Sequence, residues 1–120
     1  MLQITPQHRI LLAKAPVDFR AGIEGLCRLC QANMHNDPFN GTVFVFTNRR
    51  RNAIKLLTYD GQGFWLCHKR LSSGRLQWWP QDNNDTIQLT ASTLNILLYN
   101  GNPITANCQQ NWKSLPAKAA

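Results

Sequence analysis

From Thr42 to Leu71 the chain reads TVFVF, TNRRRN, AIKLLTY, DGQG, FWLCHKRL. Three runs rich in β-branched, aliphatic and aromatic residues are separated by two short turn sequences, the pattern of an antiparallel meander. TVFVF is apolar on both faces, which suits a central strand covered on either side. DGQG is a strong hairpin turn, because Asp-Gly tolerates positive φ. A loop of two or four residues there pairs Lys55 with His68, and a loop of three pairs Lys55 with Lys69. TNRRRN is the unusual turn. Arg49, Arg50 and Arg51 stand side by side at its tip. Adjacent guanidinium groups repel one another and gain when an anion is present, since arginine grips phosphate through paired N–H groups. The plainer account is a solvated tip that only blunts aggregation.

The flanking segments supply the other elements. RILLAKAP (Arg9 to Pro16) reads as a first strand, and Asp18 as the N-cap of a helix. Phe19, Ile23, Leu26, Cys27, Cys30 and Met34 fall on one stripe of that helix. Glu24 and Arg28 form an i,i+4 pair on its other side, and Pro38 ends it. Beyond the meander, SSG turns the chain into RLQWW, a further strand closed by Pro80. PQDNND (Pro80 to Asp85) is a loop and TIQLT a short last strand. Thr90 can cap a closing helix, with Leu89 and Leu94 as a hydrophobic staple. Leu94, Leu97 and Leu98 face its core, and Gly101 suits the C′ position. After Gly101 the chain is polar and aperiodic, with Trp112 alone. The expected architecture is α+β: an antiparallel sheet of about five strands with two helices packed on one face. It forms a single domain over residues 1–101, followed by a flexible polar tail over 102–120.

Charge narrows the function. Of 120 residues, 13 are Lys or Arg and only 6 Asp or Glu, giving a net charge of +7 and a pI near 9.8. Asn and Gln, 21 in all, provide much of the remaining polar surface. A small basic domain attracts polyanions. The cations gather along the meander: Arg49, Arg50 and Arg51 at the tip, Lys55 and Lys69 on strands, Arg70 and Arg75 around the next turn. Between Ala53 and Asn84 the only carboxylates are Asp60 and Asp82. Trp78 and Trp79 lie just beyond, where aromatics beside cations can stack on unpaired bases. In a regular strand one of the two would be buried and the other exposed. These nine residues form the expected nucleic-acid-binding set.

Catalytic and metal-binding readings find less support. Metal-dependent nuclease chemistry needs converging carboxylates. Here Asp18 reads as a cap, Asp37 and Asp60 as turn residues, Asp82 and Asp85 as loop residues, and Glu24 as a helix partner. No serine sits in a nucleophile elbow, and no phosphate-cradling glycine loop is present. Cys27 and Cys30 match C-x-x-C but lie on the apolar stripe, so small core residues are the better account than a zinc site. No metal and no cofactor is expected. No run of 18 apolar residues suggests a membrane span, and no signal peptide is evident. The expected location is the cytoplasm, with Cys27, Cys30, Cys67 and Cys108 as free thiols.

DFRAGIEGL (Asp18 to Leu26), DPFNGTVFVFTNRRRNAIKLLTYDGQGF (Asp37 to Phe64) and KRLSSGRLQWWP (Lys69 to Pro80) together resemble one family, the TnpB-type accessory proteins of insertion-sequence family sixty-six. The resemblance runs from about Ile10 to Gly101. That family usually carries Glu where Ser72 stands, which leaves the Arg70–Arg75 turn less neutralised in this chain. The resemblance implies a bacterial mobile element in which a separate transposase performs the chemistry. The expected function is a non-enzymatic accessory factor for transposition, with DNA and the cognate transposase as partners. The rivals are a protein-interaction module that docks the transposase through its basic tip, and a cryptic metal-dependent nuclease.

Overall fold

A computed structural model describes residues 4–80 and 86–104. Seven elements follow in chain order: β1 (Ile10–Ala13), α1 (Ile23–Ala32), β2 (Val43–Thr47), β3 (Ala53–Tyr59), β4 (Phe64–Arg70), β5 (Thr86–Leu89) and α2 (Ala91–Leu98). The α+β class and the five strands are as the sequence implied. The strands form one sheet in the order β4-β3-β2-β1-β5. β2 is therefore central, and all five of its residues are buried.

The sheet is mixed. β2–β3, β3–β4 and β1–β5 are antiparallel, but β1 and β2 run parallel, with Ile10 opposite Val43 and Leu12 opposite Val45. Parallel neighbours need a long crossover, and the segment carrying α1 provides it. The meander behaves as its turns dictate. The Asp60–Gly63 turn holds four residues and places Lys55 opposite His68. Asp60 fixes this turn by accepting the N–H groups of Gln62 and Gly63, and these bonds hold its carboxyl below the usual carboxylate range.

The two helices lie on opposite faces, not on one. Leu26 and Cys30 of α1 pack with Leu11, Phe44, Phe46 and Leu57. Leu94 and Leu97 of α2 pack with Ile10, Leu12, Val43, Val45, Ile54 and Leu56. Alternate strand residues point to opposite faces, so these are two separate half-cores. A strand reading Val-Phe-Val-Phe offers an apolar surface to each side, and each side needs its own cover.

Three local expectations are corrected. RLQWW is not a strand. The Leu76 N–H donates to the Arg51 carbonyl and the Gln77 N–H to Asn100 Oδ1. The segment crosses the α2 face, where Leu76, Trp78 and Trp79 join the core. Asp18 does not cap α1, which starts at Ile23 with Gly22 at the N-cap; Asp18 binds Arg20 instead. At the end of α2, Asn100 and not Gly101 takes the left-handed C′ position, at φ 59°. The Gly101 N–H reaches the Ile96 carbonyl and the Asn100 N–H the Leu97 carbonyl, closing a Schellman motif. Gly101 matters for space: a Cβ there would come within 2.8 Å of Ile96 Cγ2. From residue 105 on, the expected tail lies outside the described residues, as does the expected loop from residue 81 to 85.

Thr90 does cap α2. Its Oγ1 accepts from the Thr93 N–H at 3.1 Å, and the flanking Leu89 and Leu94 are both buried. Thr90→Ala should destabilise the protein by about 1 kcal/mol, lowering Tm by roughly 3–6 °C. Thr90→Ser should restore most of this. Thermal unfolding by circular dichroism reads both.

Candidate nucleic-acid interface

The arginine tip is built by its asparagines. Asn48 Oδ1 accepts from the Asn52 N–H at 3.1 Å, and Asn48 Nδ2 donates to Asn52 Oδ1 at 2.6 Å. The Arg51 N–H donates to the Asn48 carbonyl at 3.0 Å. Below them, the buried Thr47 hydroxyl donates to the Ala53 carbonyl at 2.9 Å. Arg51 takes the left-handed conformation, φ 57°, which costs a non-glycine residue roughly 1–2 kcal/mol. The surrounding bonds hold it there. Arg49 and Arg50 are exposed and Arg51 is half-buried. Among the described residues, none of the three guanidinium groups has a hydrogen bond or ion pair.

Two further segments bring cations to the same end of the sheet. The Val17 N–H donates to the Thr47 carbonyl at 2.9 Å, tying the chain after β1 to the end of β2. Residues Pro16 to Arg20 then face Asn48, Arg49 and Arg50 across an open cleft of about 400 Å³. Arg20 stands in this cleft, gripping Asp18 through Nε and Nη2, the latter at 2.8 Å. That grip, with the Arg20 backbone N–H and a smaller effect of Arg49, lowers the Asp18 pKa to about 2. On the other side, Arg70 ends β4 opposite Ala53. The Leu71 N–H donates to the Asn52 carbonyl, as Leu76 does to that of Arg51, so the Ser72–Arg75 turn is anchored beside the tip. Arg70 and Arg75 are exposed. The result is a cationic end made of Arg20, Arg49, Arg50, Arg51, Arg70 and Arg75, with Asp18 as the carboxylate in the group.

The remaining expected site residues lie elsewhere. Lys55 is buried; its Nζ donates to the Phe19 carbonyl at 2.8 Å and the Ala21 carbonyl at 3.2 Å, and stands 4.9 Å from the Phe19 ring centre. It anchors the segment that carries Arg20. Lys69 donates to the Leu98 carbonyl at the C-terminus of α2, 5.5 Å from the centre of the Tyr99 ring. Trp79 is buried, with its indole N–H on the Lys14 carbonyl at 2.9 Å, and Trp78 is half-buried in the same core. Trp79 therefore offers no free face for stacking, and Trp78 is partly covered. Among the described residues, the large aromatic side chains that are exposed are Phe39, Trp65 and Tyr99. Arg20 was missed because its neighbour Asp18 reads as a cap; the Asp-x-Arg spacing was the available signal.

Cys30 is fully buried and Cys27 half-buried on α1. Burial, with a smaller effect of Cys27, pushes the Cys30 thiol up to about 12. Burial also raises that of Cys27, helped by Glu24. Both stay protonated at neutral pH. Among the described residues no three metal-ligating side chains come together, and no ion pair joins Glu24 to Arg28.

A family described as IS66 Orf2-like protein matches residues 8–108. Two uncharacterized proteins of Sinorhizobium fredii are similar. The protein y4jC is 40% identical over 67 residues, 56% of this chain and 57% of that protein. The protein y4hO is 33% identical over 98 residues, 82% of this chain and 84% of that one. The chain thus spans a little over half the length of the first relative and most of the second. No solved structure matches it significantly.

The Asp18–Arg20 contact has a titration signature. A carboxylate whose pKa is depressed adds stability that is complete above its ordinary value of 3.8 and is lost as pH falls toward about 2. The Asp18 carboxyl ¹³C shift should titrate with a midpoint near pH 2 in the parent and rise toward, without reaching, the ordinary value in Arg20→Ala, which loses the guanidinium but keeps the backbone N–H. A midpoint that does not move would mean Arg20 leaves Asp18 in solution.

Proposed function

The chain belongs to the IS66 Orf2-like family, accessory proteins of insertion-sequence transposition, and from that premise we propose that it assists transposition by holding DNA against the arginine end of its sheet. The family is not known as one of enzymes, and the reading gives no residue a catalytic role. The observation that carries it is the tip: Thr47, Asn48 and Asn52 fix the backbone, leaving Arg49, Arg50 and Arg51 without a partner among the described residues. A loop rigidified by its own polar side chains presents charges at low ordering cost when a phosphate arrives. Arg20, Arg70 and Arg75 extend the surface on either side. Guanidinium groups at the end of the sheet suit phosphates along a backbone, and contacts to phosphate carry no base readout of their own.

The same cations would suit an acidic region of the transposase. Salt and sequence dependence separate the two partners.

Arg49→Ala, Arg50→Ala and Arg51→Ala together should leave stability within about 0.5 kcal/mol of the parent, because alanine bears the same left-handed strain at position 51 as arginine. Duplex affinity should fall, and the slope of log affinity against log salt should become shallower by up to about 2.7 if all three contact phosphates. Sequence preference should stay unchanged. Three lysines in their place should recover part of the affinity, since lysine keeps the charge and loses the bidentate fork. Fluorescence anisotropy over a salt series measures all of this. Parental affinity and slope in the triple alanine variant would point to the transposase as the partner of the tip.

A further inference from the structure

β4 is an edge strand of seven residues. RLQWW turns away from it, and among the described residues nothing hydrogen-bonds to its outer side. An edge of this length is a template for another strand. The hydrogen bonds that bracket the β3–β4 ladder say which groups are free. The Asp60 N–H binds the Gly63 carbonyl at one end and the Leu71 N–H binds the Asn52 carbonyl at the other. Bonded and non-bonded pairs alternate between these limits, so Trp65, Cys67 and Lys69 turn their backbone groups toward β3. Phe64, Leu66, His68 and Arg70 turn theirs outward.

The side chains of this edge are polarised along its length. Phe64, Trp65 and Leu66 come first; His68, Lys69 and Arg70 come last. We propose that β4 pairs antiparallel with β4 of a second copy about a two-fold axis at Cys67, making one continuous sheet of two subunits. In this register Phe64 faces Arg70, Trp65 faces Lys69, and Leu66 faces His68 of the other copy. Every outward N–H and C=O of Phe64, Leu66, His68 and Arg70 then finds a partner. Each cation meets an aromatic or apolar residue, a favourable cation–aromatic arrangement for Trp65 and Phe64. A parallel pairing in register would set Lys69 on Lys69 and Arg70 on Arg70, as would antiparallel pairings centred near the basic end, and like charges directly opposite are unfavourable. The surface is self-complementary, as a two-fold interface must be. Trp65 is exposed, with its indole N–H on Asp60 Oδ2 at 2.8 Å, and so already stands clear of the core.

The axis itself supplies a probe. Cys67 facing Cys67 is a non-hydrogen-bonded pair, with Cα atoms about 4.5 Å apart, inside the range a disulfide spans. Oxidation of the full-length protein with copper phenanthroline should give a covalent dimer whose linked peptides join Cys67 to Cys67, and none in denaturant. Sedimentation equilibrium should show a reversible dimer. His68→Pro removes an outward N–H without touching the β3 ladder, and should weaken the dimer by about tenfold or more. Trp65→Lys sets cation on cation and should also weaken it. Trp65→Glu sets carboxylate on Lys69 and should dimerise at least about tenfold more tightly than Trp65→Lys. Both Trp65 variants lose the indole donor to Asp60 but meet that carboxylate with opposite charge, so the pair is repeated with Lys69→Ala, which should abolish most of the difference if it arises from the facing lysine. A monomer at all concentrations overturns the proposal. So does a dimer indifferent to His68→Pro and to the sign of the charge at position 65, or one cross-linked through other cysteines.

Discussion

β2 has no polar face. Each of its five residues is buried, and a central strand of this kind is stable only when both sides of the sheet are covered. The rest of the architecture follows. α1 covers one side from within the crossover that makes β1 and β2 parallel. α2 covers the other after β5 has returned to pair with β1. Leu26 and Leu94, on different helices and opposite faces, are both fully buried. With both faces occupied, functional polar groups are left to the ends and edges of the sheet. The arginine tip lies at one end, directly continuous with β2.

Lys55 links this core to the candidate interface. It lies on the α1 face of β3, where an ammonium group without partners would be costly to bury. The carbonyls of Phe19 and Ala21 satisfy it. The same bonds fix the irregular stretch before α1 and so place Arg20 near Arg49. A lysine that reads as a surface cation thus acts from inside. It orders one wall of the cleft whose other wall is the tip.

The strand and helix pattern was legible because it is carried by local signals. Periodicity marked α1, Asp-Gly set a turn whose register matches the structure, and Thr90 marked the start of α2. What lay beyond local signals was missed. TVFVF implied cover on both faces, yet the helices were expected together on one; taken at full value, that strand already required them apart. RLQWW has strand composition, but its partners are the Arg51 carbonyl and the Asn100 side chain, distant in sequence. The burial of Lys55 and Trp79 depends on the carbonyls of Phe19, Ala21 and Lys14, which no spacing rule reveals. The tip arginines stand out in sequence because nothing structural calls for their side chains; their asparagine neighbours build the turn. In a β4-paired dimer the two arginine ends would point in opposite directions, giving one assembly two separate cationic surfaces.

In the function proposed above, DNA meets the arginine end and not Lys55, Lys69 or the tryptophans that follow the meander. NMR titration of the protein with a short duplex, following arginine Nε–H and tryptophan indole N–H signals together, tests it most directly. Binding at the arginine end should shift Arg20, Arg49, Arg50, Arg51, Arg70 and Arg75, while the indoles of Trp78 and Trp79 stay in place. Shifts confined to the tryptophans, or arginine signals unmoved at saturating duplex, would contradict it.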